Sequence, residues 1–330
     1  MSVVQNHPKV FVAMPSLDDS ELITSVINAL DDAQYKDRVH IGIAYATQFS
    51  NKKLNAKIQN SLGRINNVSI KFINLNKFFG SVWGRINARS LYSGEDYYLQ
   101  IDAHTLFDTD WDSRLIEIFE QAKTKVKNKL VISGSPSAYR YNINGQRKNI
   151  DNKWKLTCPY YVNGTLADRF NEYSQYTMMF PNWSEDFPET VWSSFDDIFF
   201  PSAKVSGGMI FGDKGFAEDY LDLYPYPAVF YEEEIMKSVE LVNKGYEIVC
   251  TSVPIPISHL YSMDINDLGG KREFSKTPPE KTGAYIDKYK EYILSNKIKI
   301  DKYLEKTGMN LRTNTIEFPM PEPDWFKNDK

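Results

Sequence analysis

Short apolar runs alternate with amphipathic stretches through the first 134 residues. "KVFVAMPS" (9–16) is an apolar run ending in Pro-Ser, with the length and flanks of a buried strand. "DDSELITSVINALDDA" (18–33) carries the helical period instead. Leu22, Ile23, Val26, Ile27 and Leu30 share one face, Asp or Ser is available as a cap, and Glu21 falls in the first turn. "RVHIGIAYA" (38–46), "VSIKFINL" (68–75), "DYYLQID" (96–102) and "KLVISG" (129–134) read as further strands. "SVWGRINARSLYSG" (81–94) reads as a helix stopped by Gly94, and "WDSRLIEIFEQAKTK" (111–125) as another. This alternation predicts an α/β fold built on a largely parallel, Rossmann-like sheet. Ligands of such sheets lie at the carboxyl ends of strands. Pro15-Ser16, Gln48 and Asp102-Ala103-His104 all fall there, so they mark a candidate site.

The rhythm fails over 135–200, a stretch rich in Tyr, Asn, Trp and Pro that predicts an irregular insertion able to shape a substrate cleft. Order returns with a strand at "AKVSGGMIFG" (203–212). A helix then leads through Gly245, its C′ residue, into a strand across "EEEIMKSVELVNKGYEIV" (232–249). "TSVPIPISHLYS" (251–262) reads as a Pro-punctuated edge segment carrying His259. From about 276 the pattern gives one charged amphipathic helix (roughly 283–307) and a Pro-rich end. The expected division is one domain over 1–275 and a helical extension over 276–330.

Composition narrows the classes. No apolar run reaches the roughly 20 residues that span a bilayer, and "MSVVQNHPKV" has neither the basic start nor the apolar core of a signal peptide. Two cysteines, Cys158 and Cys250, are too few for a disulfide framework. The expectation is a cytoplasmic protein without membrane contact. A net charge of −4 argues against non-specific nucleic-acid binding, although "GQRKNIDNKWK" (145–155) supplies a local basic cluster.

Asp102 and His104 flank one residue just past a strand and point to the same side. A hard carboxylate and a borderline imidazole suit a divalent metal, manganese more readily than magnesium. The alternative is an N-cap Asp beside a hydrogen-bonded surface histidine. Arg85 and Arg89, four apart, share a helix face, where they are either anion ligands or solvated arginines. Gly207-Gly208 inside a strand marks close approach by another group, or a β-bulge.

"GRINARSLYSGEDYYLQIDAHTLFDTDWDSRL" (84–115) resembles the donor-site segment of retaining GT-A glycosyltransferases that carry D-x-H in place of D-x-D. It is most similar to cytoplasmic GlcNAc-transferases that modify hydroxyproline on a ubiquitin-ligase subunit, and more distantly to polypeptide GalNAc-transferases. "KVFVAMPSLDDSELITSVINAL", "DRVHIGIAYATQ", "SGGMIFGDKGF" and "FYEEEIMKSVELVNKGYEIVCTSVPIPISHLY" follow in that family's order from about residue 9 to 262.

The resemblance implies a GT-A (nucleotide-diphospho-sugar transferase) fold and transfer from a UDP-sugar, GlcNAc first, to a hydroxyl acceptor with retention of configuration. It implies Asp102, His104 and His259 as ligands of Mn2+ (or Mg2+). It also implies one of Arg85 and Arg89 on the nucleotide, Ser16 and Gln48 toward ribose and uracil, and Gly207 and Gly208 beside sugar or acceptor. Glu233 and Glu234 match its acidic motif, as hydrogen-bonding groups or as a base, and equally suit a plain helix N-terminus. "GGK" (269–271) is a candidate lid presenting Lys271 or Arg272. The acceptor is a protein side chain or, alternatively, a hydroxymethylated or glycosylated base of viral DNA. A sugar-nucleotide or glycan binding protein without turnover is the rival class. A nucleotidyltransferase would carry a basic Gly-rich loop where this chain has "MPSLDDS".

Overall fold

The computed structural model describes residues 7–47, 52–74, 80–134, 136–141, 147–149, 199–221, 232–251, 253–260, 297–313 and 315–317, with single positions at 291, 295, 321, 323 and 324. The first half alternates as its periodicity predicts. Strand β1 (Val10–Leu17) leads to helix α1 (Leu22–Asp31), β2 (Val39–Thr47), α2 (Lys52–Leu62), β3 (Val68–Asn74), α3 (Ser81–Arg89) and β4 (Tyr97–Ile101). After β5 (Thr105–Phe107) come α4 (Trp111–Lys125), β6 (Lys129–Ser133), β7 (Ser137–Tyr141), β8 (Arg147–Asn149) and β9 (Phe199–Ser202). The chain continues with β10 (Met209–Asp213), α5 (Lys214–Leu221), α6 (Glu232–Asn243), β11 (Tyr246–Thr251), β12 (Ile257–His259) and α7 (Lys297–Thr307). A small hairpin, β13 (Met309–Asn310) with β14 (Thr315–Ile316), follows.

The main sheet runs β3-β2-β1-β4-β10-β6-β11-β9. Pairings β1–β2, β2–β3, β1–β4 and β6–β11 are parallel, while β10 lies antiparallel to both β4 and β6, and β9 antiparallel to β11. Successive side chains of β1 reach opposite faces. Val10, Val12 and Met14 join α1 and α4 in one buried cluster; Phe11 and Ala13 join Ala88, Phe216, Val239 and Tyr303 in the other. Tyr303, on α7, donates its hydroxyl to the Ala203 carbonyl at 2.7 Å, and Lys299 pairs with Glu240 of α6 at 2.8 Å. The chain steps from β1 to β2 and β3 on one side, then crosses back to place β4 on the other side of β1. Open α/β sheets bind ligands in the crevice outside the carboxyl ends of the strands where the order reverses, here β1 and β4.

The structure corrects several local expectations. On α1 the buried positions are Leu22, Ser25, Val26, Ala29 and Leu30, whereas Ile27 is exposed; a 100° step carries it off the face that meets the sheet. Helix α2 was not apparent in the sequence because it buries only Ile58 and Leu62. Helix α3 stops at Arg89, and Gly94, with φ near +100°, lies in the turn beyond it. Gly207 and Gly208 precede β10 in a turn closed by the Ser206–Met209 bridge, so they stand outside the strand. His259 is also no edge residue: β12 lies between β5 and β7 in a second sheet, β5-β12-β7-β8. Pro254 and Pro256, which lack N–H donors, fall before the paired residues. The 135–200 insertion, apart from 136–141, 147–149 and 199–200, lies outside the described residues, as do Gln48, the 269–271 segment with Lys271 and Arg272, and most of the tail helix before Lys297.

Candidate active site

Asp102 is the first residue past β4. Its Oδ1 accepts from Arg85 Nη2 at 2.9 Å and its Oδ2 meets His259 Nε2 at 3.1 Å. Burial alone would raise the Asp102 pKa, but the Arg85 guanidinium, helped by the His259 hydrogen bond, holds the carboxyl far below the usual carboxylate range. His104 follows two residues on, and β12 brings His259 across from it: Leu260 N–H donates to the His104 carbonyl at 3.0 Å, and the two rings stand 4.5 Å apart, tilted at 68°. One ligand atom from each of Asp102, His104 and His259 lies within 4.8 Å of the others. One carboxylate oxygen and two imidazole nitrogens form a donor set that suits a borderline divalent cation. A proton and a cation compete for the same histidine nitrogens there.

Asp19, which the sequence offered only as a helix cap, completes this arrangement. Its Oδ2 lies 2.8 Å from His104 Nδ1, the partner that fixes an imidazole with Nε2 presented to a metal. The turn that aims it is strained: Asp18 sits in the left-handed region at φ 46°, with Tyr45 donating its hydroxyl to Oδ1 at 3.1 Å. No spacing rule identifies such a residue, because its partner is 85 positions away.

The acidic motif reaches the same crevice. Glu233 is buried, pairing with Arg85 Nε at 2.6 Å, with the Lys237 ammonium, and with the Ser81 hydroxyl at 2.8 Å. Burial opposes its charge, yet Arg85 and Lys237 hold its pKa below the usual range. Two cations and a hydroxyl thus occupy a carboxylate that the motif offered as a base. Glu234 accepts from Gly207 N–H at 2.6 Å and from Lys204 Nζ at 2.6 Å. The glycine turn lies between these groups. A Cβ on Gly207 would sit 3.2 Å from Arg85 Nη2, tighter than ordinary contact, and one on Gly208 would sit 3.5 Å from Asp102 Oδ2.

The remaining candidates separate. Ser16, at the carboxyl end of β1, is buried, with no hydrogen-bond partner for its hydroxyl among the described residues. Arg89 is buried one turn beyond Arg85, where its charge acts on Tyr98. Gln48 lies outside the described residues. Gln100 and Lys237, not anticipated from the sequence, prove to be buried links between the acidic helix and β4.

A large, mostly parallel sheet with a charged crevice at its switch point is an architecture shared by many transferases, and the comparisons narrow it. The glycosyltransferase (GlcNAc) family profile matches residues 47–265, well over half of the 330-residue chain. The chain belongs to the glycosyltransferase (GlcNAc) family. Its fold is similar to that of GalNAc-T7, solved with UDP, GalNAc and Mn2+, at 13% identity and TM-score 0.50 over 91% of this chain and 50% of that one. It is equally similar to S. aureus TarS 1–349 in complex with UDP-GlcNAc, at 13% identity and TM-score 0.51 over 90% of this chain and 71% of that one. The chain therefore spans half the length of the GalNAc-T7 chain, and these likenesses establish a GT-A fold. No curated protein matches the chain in sequence. Among the described residues, no helix is long and apolar enough to cross a membrane.

Proposed function

We propose that this glycosyltransferase is metal-dependent and retaining, and moves a sugar from a UDP-sugar, UDP-GlcNAc first, to a hydroxyl acceptor on a protein side chain. The observation that carries the reading is the Asp102–His104–His259 cluster at the carboxyl end of β4. GalNAc-T7, of the same fold, was solved with UDP and Mn2+, and TarS with UDP-GlcNAc, which supports the choice of donor and metal. Asp102, His104 and His259 hold the cation, manganese ahead of magnesium, and Asp19 fixes the tautomer of His104. When bound, the cation supplies Lewis-acid stabilisation of the charge left on the β-phosphate as the anomeric bond breaks.

Arg85, locked between Glu233 and Asp102, keeps a fixed positive charge beside the diphosphate position. Gly207 and Gly208 leave the crevice wall bare of side chains where the sugar would lie. Glu233 and Glu234 are each already engaged by cations and other donors, so neither stands open as a nucleophile. That supports same-face attack, with the acceptor proton leaving on the departing phosphate. The transferase unit is proposed to span 1–275, with 276–330 as an extension whose helix α7 braces α6.

The test is release of nucleoside diphosphate from a panel of sugar nucleotides, with Mn2+ and then with chelator. Release of UDP from UDP-GlcNAc that chelator abolishes is expected. Silence across the panel, with no Mn2+-dependent binding of any donor, would overturn the reading and favour a binding protein.

A further inference from the structure

Lys237 is a buried cation that the chemistry above does not use. It lies on α6, one turn past Glu233, and is 3% exposed. Burying an ammonium costs several kcal/mol unless partners replace its water. Here the partners are informative. Its Nζ pairs with Glu233 Oε1 and donates to Gln100 Oε1 at 3.0 Å. Gln100 sits on β4, two residues before Asp102, and its own Nε2 donates to the Gly207 carbonyl at 2.8 Å. Glu233 in turn grips Arg85 Nε, and Arg85 Nη2 grips Asp102.

The contacts close a ring, from Asp102 along the backbone to Gln100, then Lys237, Glu233, Arg85 and back to the Asp102 carboxylate. A branch from Gln100 fixes the glycine turn that packs against Asp102 Oδ2. Asp102 is thereby held from its backbone and from its carboxylate at once. Three acids (Asp102, Glu233, Glu234) meet three bases (Arg85, Lys237, Lys204) here, so each of these charges has an opposite charge beside it. Burial pushes the Lys237 ammonium down to about 8 against the pull of Glu233, which marks how far from water it sits.

We propose that Lys237 is a positioning residue: without touching substrate, it locks the Glu233–Arg85 arm and the Gln100–Gly207 arm in register, so that Asp102 meets the metal at the correct angle. The inference rests on the metal-dependent reading of the site. A direct orienting partner of a metal ligand typically contributes ten- to a hundredfold in metal affinity, and Lys237 stands one link behind such a partner, Arg85.

The test compares wild type, Lys237→Met and the double variant Glu233→Gln/Lys237→Met, reading Mn2+ affinity by electron paramagnetic resonance, the thermal midpoint, and turnover of UDP-GlcNAc against Mn2+ concentration. Acting through Arg85 and Gln100 rather than on a ligand directly, Lys237→Met should weaken Mn2+ binding by up to about tenfold, with most turnover recovered at saturating Mn2+. The double variant removes both buried charges and should regain thermal stability without regaining Mn2+ affinity, because Arg85 has lost its anchor. Wild-type Mn2+ affinity in either folded variant would overturn the inference and leave the metal site standing. Absence of Mn2+ binding in wild type would overturn the metal reading, and this inference with it.

Discussion

Two Arg–Asp pairs, built from the same side chains, do opposite work in this molecule. Arg38, just before β2, donates through Nε to Asp112 Oδ2 at 2.7 Å; Gln34 and Tyr35 N–H groups donate to the same carboxylate at 2.7 and 3.2 Å. Arg38 Nη2 reaches the Ser113 hydroxyl at 2.6 Å, and the Asp112 side chain is 0% exposed. Every role there is local: the pair pins the loop after α1 to the first turn of α4. Arg85–Asp102 lies at the carboxyl ends of the strands. Its Asp side chain remains 23% exposed, and two histidines converge on it. A buried pair with its lone pairs filled is architecture. An equally charged pair left open toward a crevice, with more ligand atoms than its fold requires, is a site.

The sharpest way to break this contrast is Asp102→Asn. Removing the anionic ligand should lower donor turnover by about 10³-fold or more, several kcal/mol of transition-state stabilisation, while the thermal midpoint falls only modestly, because the buried Arg85 keeps Glu233 as a partner. Asp112→Asn should do the reverse. It leaves Arg38 buried with a weakened partner and should cost about 3–5 kcal/mol in urea unfolding, with turnover per folded molecule unchanged. If the two variants behave alike, the distinction fails.

A smaller effect sharpens it. Asp19→Asn keeps the shape but loses the charge behind His104, and should weaken Mn2+ binding about 10–100-fold in calorimetric titration, without a comparable loss of stability.

The smallest effect belongs with the filled carboxylates. Glu95 is buried under hydrogen bonds from the His40 ring at 2.6 Å, Ser93 N–H at 2.9 Å and the Ser93 hydroxyl at 3.0 Å. Burial alone would raise it, but these bonds, His40 first, carry it from 4.5 down to about 2. A depressed carboxylate stabilises the fold above its unfolded pKa and loses that contribution as pH falls through the folded value. Wild type should therefore exceed Glu95→Gln in urea unfolding free energy at neutral pH by about 1 kcal/mol, because the amide oxygen still accepts one of these hydrogen bonds. The gap should narrow below pH 4.5 and close near 2.

The same contrast explains what the sequence could disclose. Strand and helix alternation is a local signal, and α4 over 111–125 and the Gly245 stop, at φ +85°, follow directly from it. Asp102 and His104 were legible because two ligands fall two residues apart at a strand end, and His259 because its motif resembles a known one. Asp19, Lys237 and Gln100 carry no such mark: their partners are 85 and 137 residues away, and only the fold brings them together. Gly207 and Gly208 were placed in a strand because apolar residues continue past them, yet the turn they form is set by Glu234 and Gln100. Helix α2 escaped because a surface helix with two buried positions has almost no apolar stripe to read.

The central claim, that Asp102, His104 and His259 together hold a divalent cation, is tested most directly by titrating Mn2+ into wild type, Asp102→Asn and Asp112→Asn under electron paramagnetic resonance. The account predicts one Mn2+ site in wild type, tightened by UDP, lost in Asp102→Asn and kept in the folded fraction of Asp112→Asn. Equal binding by wild type and Asp102→Asn, or no binding by wild type with UDP present, would contradict it.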